Sequence, residues 1–429
     1  MPLVVFEDLS RQPVVPVAEC HKYEKRFDLA DSNHSQVKLH RLVVSSPGFT
    51  HVVYDAEKPA GVKVSAANAA AVEAFSITVL DDAGLEISTT VPLERQHLLV
   101  EVSLPTTQTL HSVDVCGNGT LVLTDAVLAS NDPNSDLSIH LSGSGDVFVT
   151  AISPVIANTI SVDVSGSGEV QLITPAFELV KAFQSTVSSS GHCRVFGGGI
   201  IAPSVKLISG GSGHLELSMV DMQVDKTLVE TVSGSGSIST FVDKLNAKAL
   251  SLDVSGSGSV KLAVKESLIT GYVAVSDSGS GEIEIGAGRA TCDECEVSVT
   301  GSGSVNGRDL QAHRARVSIT GGGSATIQAV VAVNARVNGS GSVTVAGNLP
   351  PEVSGRVHCV ALEDKPSNLE KLLRRRPSML EAPSPLDAFH VLTRLNEVVH
   401  VKSISEFLVA LKLIWNHGPR DNIMISTVG

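Results

Sequence analysis

Acidic and imidazole side chains recur at one fixed offset along part of this 429-residue chain. Asp146, Glu169, His192 and His214 each follow directly on the last glycine of a Gly-rich run. If those runs are equivalent, the four residues stack about 4.8 Å apart. Carboxylates and imidazoles so placed could hold a divalent cation or pass a proton. The row continues as Ser237, Ser259, Glu282 and Ser304, and a second outward row reads Phe148, Gln171, Arg194, Glu216, Ser239, Lys261 and Glu284. The plainer explanation carries more weight. A solvated face needs polar residues of some kind, and Arg194 beside Glu216 or Lys261 beside Glu284 balances charge. The expectation is therefore no catalytic, cofactor-binding or metal residues, with Asp146, Glu169, His192 and His214 kept as a candidate metal ladder.

Other possible chemistry is thinner. Cys292-Asp293-Glu294-Cys295 has CxxC spacing, but a structural zinc needs a second ligand pair and no second CxxC exists. A thioredoxin-type site would open a helix, whereas these cysteines precede a strand-like stretch, Glu296 to Val299. Ordinary thiols are expected. Arg374-Arg375-Arg376-Pro377-Ser378 is a basic run that offers Ser378 as a kinase target or forms a weak nuclear signal. A basic patch at a helix C-terminus, favourable to the dipole, explains it as well. The glycine runs open strands, so they are not phosphate loops, and their spacing is not that of nonapeptide calcium repeats. Asp114, Asp163 and Asp253 share one offset but lie too far apart to act as a pair. No GxSxG or HExxH motif is present, and nothing calls for a cofactor.

The elements that would position these residues follow from the repeat. Taking Gly119, Gly145, Gly168, Gly191, Gly213, Gly236, Gly258, Gly281, Gly303, Gly323 and Gly341 as markers, the spacings are 26, 23, 23, 22, 23, 22, 23, 22, 20 and 18. Each copy alternates apolar and polar residues on both sides of a small-residue kink, as in Ser251-Leu252-Asp253-Val254-Ser255-Gly256-Ser257-Gly258-Ser259-Val260-Lys261-Leu262. Alternation of period two means half-buried strands. A unit of about 22 residues is too short for strand-helix-strand, which needs roughly 30. It suits one coil of a parallel β-helix, eleven of which would make a rod about 50 Å long.

Composition agrees with a narrow aliphatic core: aromatics are 3% while glycine numbers 37. A formal charge of −13 argues against nucleic acid. No apolar run is long enough to span a membrane. Met1 to Cys20 lacks a basic n-region and apolar h-region pair, which reads as cytoplasmic. Cys20, Cys116, Cys193, Cys292, Cys295 and Cys359 are too scattered for a disulfide framework. Residues 1–36 read as an irregular leader and 37–347 as the β-helix. Within the latter, 37–111 lack the kink and are either early coils, the favoured reading, or a separate β cap. The array is expected to stop at Asn348-Leu349-Pro350-Pro351, with 348–429 an α-helical extension and possible cap. Helices are expected from Asn368 to Arg376, from Pro385 to Val399 and from Ser403 through Trp415.

Val164-Ser165-Gly166-Ser167-Gly168-Glu169-Val170 and Leu141-Ser142-Gly143-Ser144-Gly145-Asp146-Val147, entered from Leu98–Leu104 and His111–Val115, resemble the head GIN domain of putative auto-transporter adhesins. The resemblance covers roughly Val37 to Val345. It implies a right-handed parallel β-helix with a surface or adhesion role, on the cell surface rather than in the cytoplasm, and carries no catalytic residues. The reading is a non-enzymatic binding or scaffold module whose Ser/Thr/Gly ladders recognise a protein or carbohydrate surface. Two alternatives stand beside it. One is a carbohydrate-active β-helix enzyme of lyase or hydrolase type. The other is an intracellular scaffold that docks a partner through its C-terminal helices.

Overall fold

The kink sequences lie directly over one another in a computed structural model of the chain, which describes residues 3–7, 23–31, 39–80, 83–93, 98–105, 110–124, 127–129, 131–362 and 367–376. The expected helices after Pro377, as well as Ser378 and Cys20, fall outside the described residues. The fold is a parallel β-solenoid of about ten coils, each of roughly 23 residues. Asp146 pairs with Glu169, Glu169 with His192, and His192 with His214, so the register is that of the repeat.

Three parallel ladders run along the rod. One precedes the kink and carries Val232, Val254 and their equivalents. One follows it, with Ile238 over Leu215 and Val260 over Ile238. A third lies between them and stacks Val155, Phe177, Ile200, Met222, Leu245, Leu268, Ala290 and Leu310. Inward residues of all three form one continuous core of Val, Leu, Ile and Ala. Phe177 and Phe183 meet in it with ring centroids 5.4 Å apart.

Glycine makes the kink possible. Gly256 holds φ at +131°, a value that L side chains avoid. A Cβ on Gly258 would lie 2.4 Å from Val232 Cγ1 and 2.5 Å from the Gly236 carbonyl oxygen, so the corner closes only without one.

The first coils depart from simple succession. Strand Arg41–Val44 lies between Gly84–Thr89 and Ser112–Val115, so the coil latest in sequence before the array is not the one stacked against it. The strand Gly61–Ala66 then runs antiparallel to Leu98–Leu104, and Tyr23–Asp31 runs antiparallel to Gly61–Ala66. Leu3–Glu7 pairs in turn with Tyr23–Asp31, where an irregular leader was expected. Parallel coils and an antiparallel cap thus both occur before residue 111. The cap occupies strand edges that an open coil would leave unpaired.

At the other end the ladders run past the two prolines. Glu352–Ser354 pairs with Ala332–Asn334, and His358–Val360 with Thr344–Ala346. Pro350 and Pro351 sit in the bend between strands, where no ladder N–H is required of them, so they do not end the array.

Candidate functional site

The kinks build a narrow edge along the rod. Ser233 lies over Ser255, and Thr300 over Thr320, in a row of exposed hydroxyls. A parallel row two residues on holds Ser235, Ser257, Ser280 and Ser302, all exposed. Backbone bonds lock the rows in step: Ser235 N donates to Gly211 O at 3.0 Å, Ser257 N to Gly234 O at 3.0 Å and Ser280 N to Gly256 O at 2.9 Å. The Ser235 and Ser257 hydroxyl oxygens are 3.3 Å apart. The result is a flat, uncharged, repeating strip of donors and acceptors with no aromatic side chain in it.

The face that follows the kink carries the candidate ladder. Asp146, Glu169, His192 and His214 do stack in one row, continued by Ser237, Ser259, Glu282 and Ser304. Their side chains are otherwise engaged. Arg194 donates through its terminal nitrogen to Glu169 at 2.5 Å and through Nε to Glu216 at 2.9 Å. Burial pushes the Glu169 carboxyl up to about 7, against the pull of Arg194 and helped by Asp146 and Glu216. The His192 and His214 rings lie 5.0 Å apart, and His214 Nδ1 is 2.6 Å from Ser237 Oγ. Burial, then the neighbouring His214 and Arg194, lower the His192 pKa. Among the described residues no three His, Cys, Asp or Glu side chains converge as a metal ion requires.

The second row is less solvated than the alternation implies. Phe148 packs with Phe49, Leu99 and Val122, and Gln171 and Glu284 are buried. Lys261 lies beside Glu284 in the ladder as expected, but its ammonium reaches Glu282 at 4.0 Å, and the Glu284 carboxylate is taken by Lys371 at 2.6 Å. Lys371 belongs to the helix Asn368–Leu373, which lies along this face of the rod.

That helix is capped by Ser367, whose Oγ accepts from Leu369 N while donating to Asp309 at 2.8 Å. Leu372 is buried with Phe241 and Ala263, and Leu369 and Leu373 pack beside it. Asn306 donates to Asn368 at 3.0 Å, and Arg376 reaches Ser218 Oγ at 3.1 Å and Asp243 at 3.4 Å. A Cβ on Gly286 would stand 2.7 Å from Leu369 N, so the helix fits because position 286 has no side chain. The described helix therefore covers the flank of the rod, not its end, and turns its apolar face inward.

Cys292 and Cys295 both point into the core, within the strand Ala290–Gly301 rather than ahead of one. The neighbouring Cys292 and burial together raise the Cys295 thiol well above its ordinary pKa. Cys193 is buried as well and pushed up to about 12. Such thiols are poor nucleophiles. No helix among the described residues is long and apolar enough to cross a membrane.

Residues 216–348 match the family described as putative auto-transporter adhesin, head GIN domain. No curated protein matches the chain. Solved structures similar to it include the following three. A putative adhesin from Bacteroides fragilis NCTC 9343 is 12% identical over 81% of this chain and 96% of its own, with a TM-score of 0.21. A putative lipid binding protein from Parabacteroides distasonis ATCC 8503 is 16% identical over 79% and 96%, with a TM-score of 0.20. A putative adhesin from the same organism is 15% identical over 75% and 95%, with a TM-score of 0.28.

Proposed function

We propose, from the adhesin head-domain match over residues 216–348, that the rod is a non-enzymatic module that holds onto an extended surface. The observation that supports this most directly is the double row of exposed hydroxyls along the kink edge. One hydroxyl binds weakly, because it exchanges a bond to water for a bond to its partner. A row repeated at the strand spacing lets a periodic partner engage many at once, and linked weak contacts multiply into useful avidity. The edge needs no charge for this, and a rigid backbone keeps the entropy cost of ordering it low.

Retention of the protein on intact cells and on films of extracted surface polysaccharide tests the reading. Replacing Ser235, Ser257, Ser280 and Ser302 together by Ala should lower retention at least tenfold and leave the circular dichroism of the rod unchanged. Retention equal to that of the unaltered protein would refute the role of the edge.

A further inference from the structure

The outward side of the ladder that precedes the kink carries a separate feature, toward the C-terminal end of the rod. Tyr272, Glu294, Arg314, Ala332 and Glu352 stack in one row, and Glu296, Arg316, Asn334 and Ser354 in the row beside it. Together they line a groove of about 480 Å³. Ala332 forms a low point in its floor between the longer side chains of Arg314 and Glu352. At one strand spacing per coil the groove spans about 19 Å from Tyr272 to Glu352.

The charges in it are ordered. Arg314 and Arg316 stand side by side on one coil, about 7 Å apart along the strand. Both are exposed, and neither makes an ion pair or side-chain hydrogen bond among the described residues. Two guanidinium forks thus present donors with no acceptor among the described residues. On one side lie Glu294 and Glu296, on the other Asn334 and then Glu352. Tyr272 is fixed at the near end by donating its hydroxyl to Glu296 at 2.9 Å. The residue is 37% exposed.

We infer that this groove binds an oligosaccharide bearing a single carboxylate flanked by neutral sugars. The inference rests on the reading of the rod as a binding module and names a ligand class for it. A carboxylate matches the planar fork of arginine in two parallel hydrogen bonds. Sugar hydroxyls donate to the carboxylates on either side and accept from Asn334, and an apolar sugar face covers Tyr272. A densely sulfated or phosphorylated chain is disfavoured, since it would carry anions onto Glu294, Glu296 and Glu352. A neutral glycan would leave both arginines unanswered.

Calorimetry of the whole chain decides it, with sialyllactose and the trisaccharide N-acetylglucosamine–glucuronate–N-acetylglucosamine, each bearing one carboxylate, as probes. Lactose, heparin and a glutamate-rich peptide serve as comparisons. At least one acidic saccharide should bind ten times more tightly than lactose. The double variant Arg314→Gln, Arg316→Gln should abolish that margin, and Arg314→Lys, Arg316→Lys should restore only part of it, since lysine returns the charge without the fork. Equal binding of acidic and neutral sugars, binding of neither acidic probe, preference for heparin or the peptide, or indifference to the Gln pair would each overturn the assignment. Retention on cells measured with the same Gln pair separates the two claims. Retention that persists while saccharide binding is absent leaves the surface role standing and removes the groove from it.

Discussion

Glu230 occupies a place in the core that Leu207 fills one coil before and Leu252 one coil after. It is fully buried, and Thr240 Oγ1 donates to one of its oxygens at 2.6 Å while the other has no partner. Burial raises its pKa from 4.5 to about 7, against the hydrogen bond from Thr240. The folded value lies above the unfolded one, so the contribution is fully present below about pH 4.5 and is lost as pH rises through 7. A shift of that size corresponds to about 3 kcal/mol. Urea melts at pH 5 and pH 8 should show stability falling with pH, and Glu230→Gln should flatten the fall by that order. A variant whose pH slope matched the parent's would contradict this account. Locally, Val229-Glu230-Thr231 invites Val229 into the core. The position of Glu230 becomes legible only when the repeats are aligned, because Leu228, Glu230 and Val232 then fall on the inward phase. The candidate ladder shows the converse. Its stacking was readable from the glycine spacing, but the engagement of Glu169 by Arg194 was not, since it depends on how one long side chain reaches diagonally to the adjacent coil.

A helix as short as Asn368–Leu373 would not persist alone in water, so the face it covers must hold it there. Full burial of Leu372 contributes about 2–3 kcal/mol. The Lys371–Glu284 pair adds specificity of position, because a buried Glu284 without its partner is costly. Leu372→Asp should release the segment, and so should Gly286→Leu, which alters the opposite surface. The reporter is limited trypsinolysis after Arg374 and Arg375, since Pro377 protects the bond after Arg376. Cleavage there should speed up at least tenfold in both variants, while the coils beneath stay resistant. Unchanged cleavage in both would mean that the helix is held by something other than this contact. A helix between Asn368 and Arg376 was legible from composition and the following Pro377. Which of the ten coils it would cover was not. The apolar stripe of a helix says that a cover is needed, whereas the site is set by Phe241, Ala263 and Gly286, which sit far away in sequence and look unremarkable until stacked.

In a stack of coils each unit touches only its neighbours, so stability is a sum over adjacent pairs and the ends are the weak points. The interior was legible because one register repeats from about residue 112 to 345. The first end was not, because antiparallel pairing between distant strands leaves no periodic mark and the coil order there is permuted. Two residues of that end matter for more than shape. Phe27 and Leu29 are 4% and 5% exposed and belong to the continuous core, while their strand Tyr23–Asp31 occupies the edge of Gly61–Ala66. Removing residues 1–38 should bare that edge together with Val62 and Val64. Since the central coils do not depend on it, far-ultraviolet circular dichroism should keep its β signature. The exposed edge should instead pair with another copy, raising the mass seen by light scattering in a concentration-dependent way that the full chain does not show. If the shortened chain scattered as the full chain does at equal concentration, edge protection would not be what these strands provide. Global loss of β structure would mean that the coils are not independent neighbours but lean on their first end to fold.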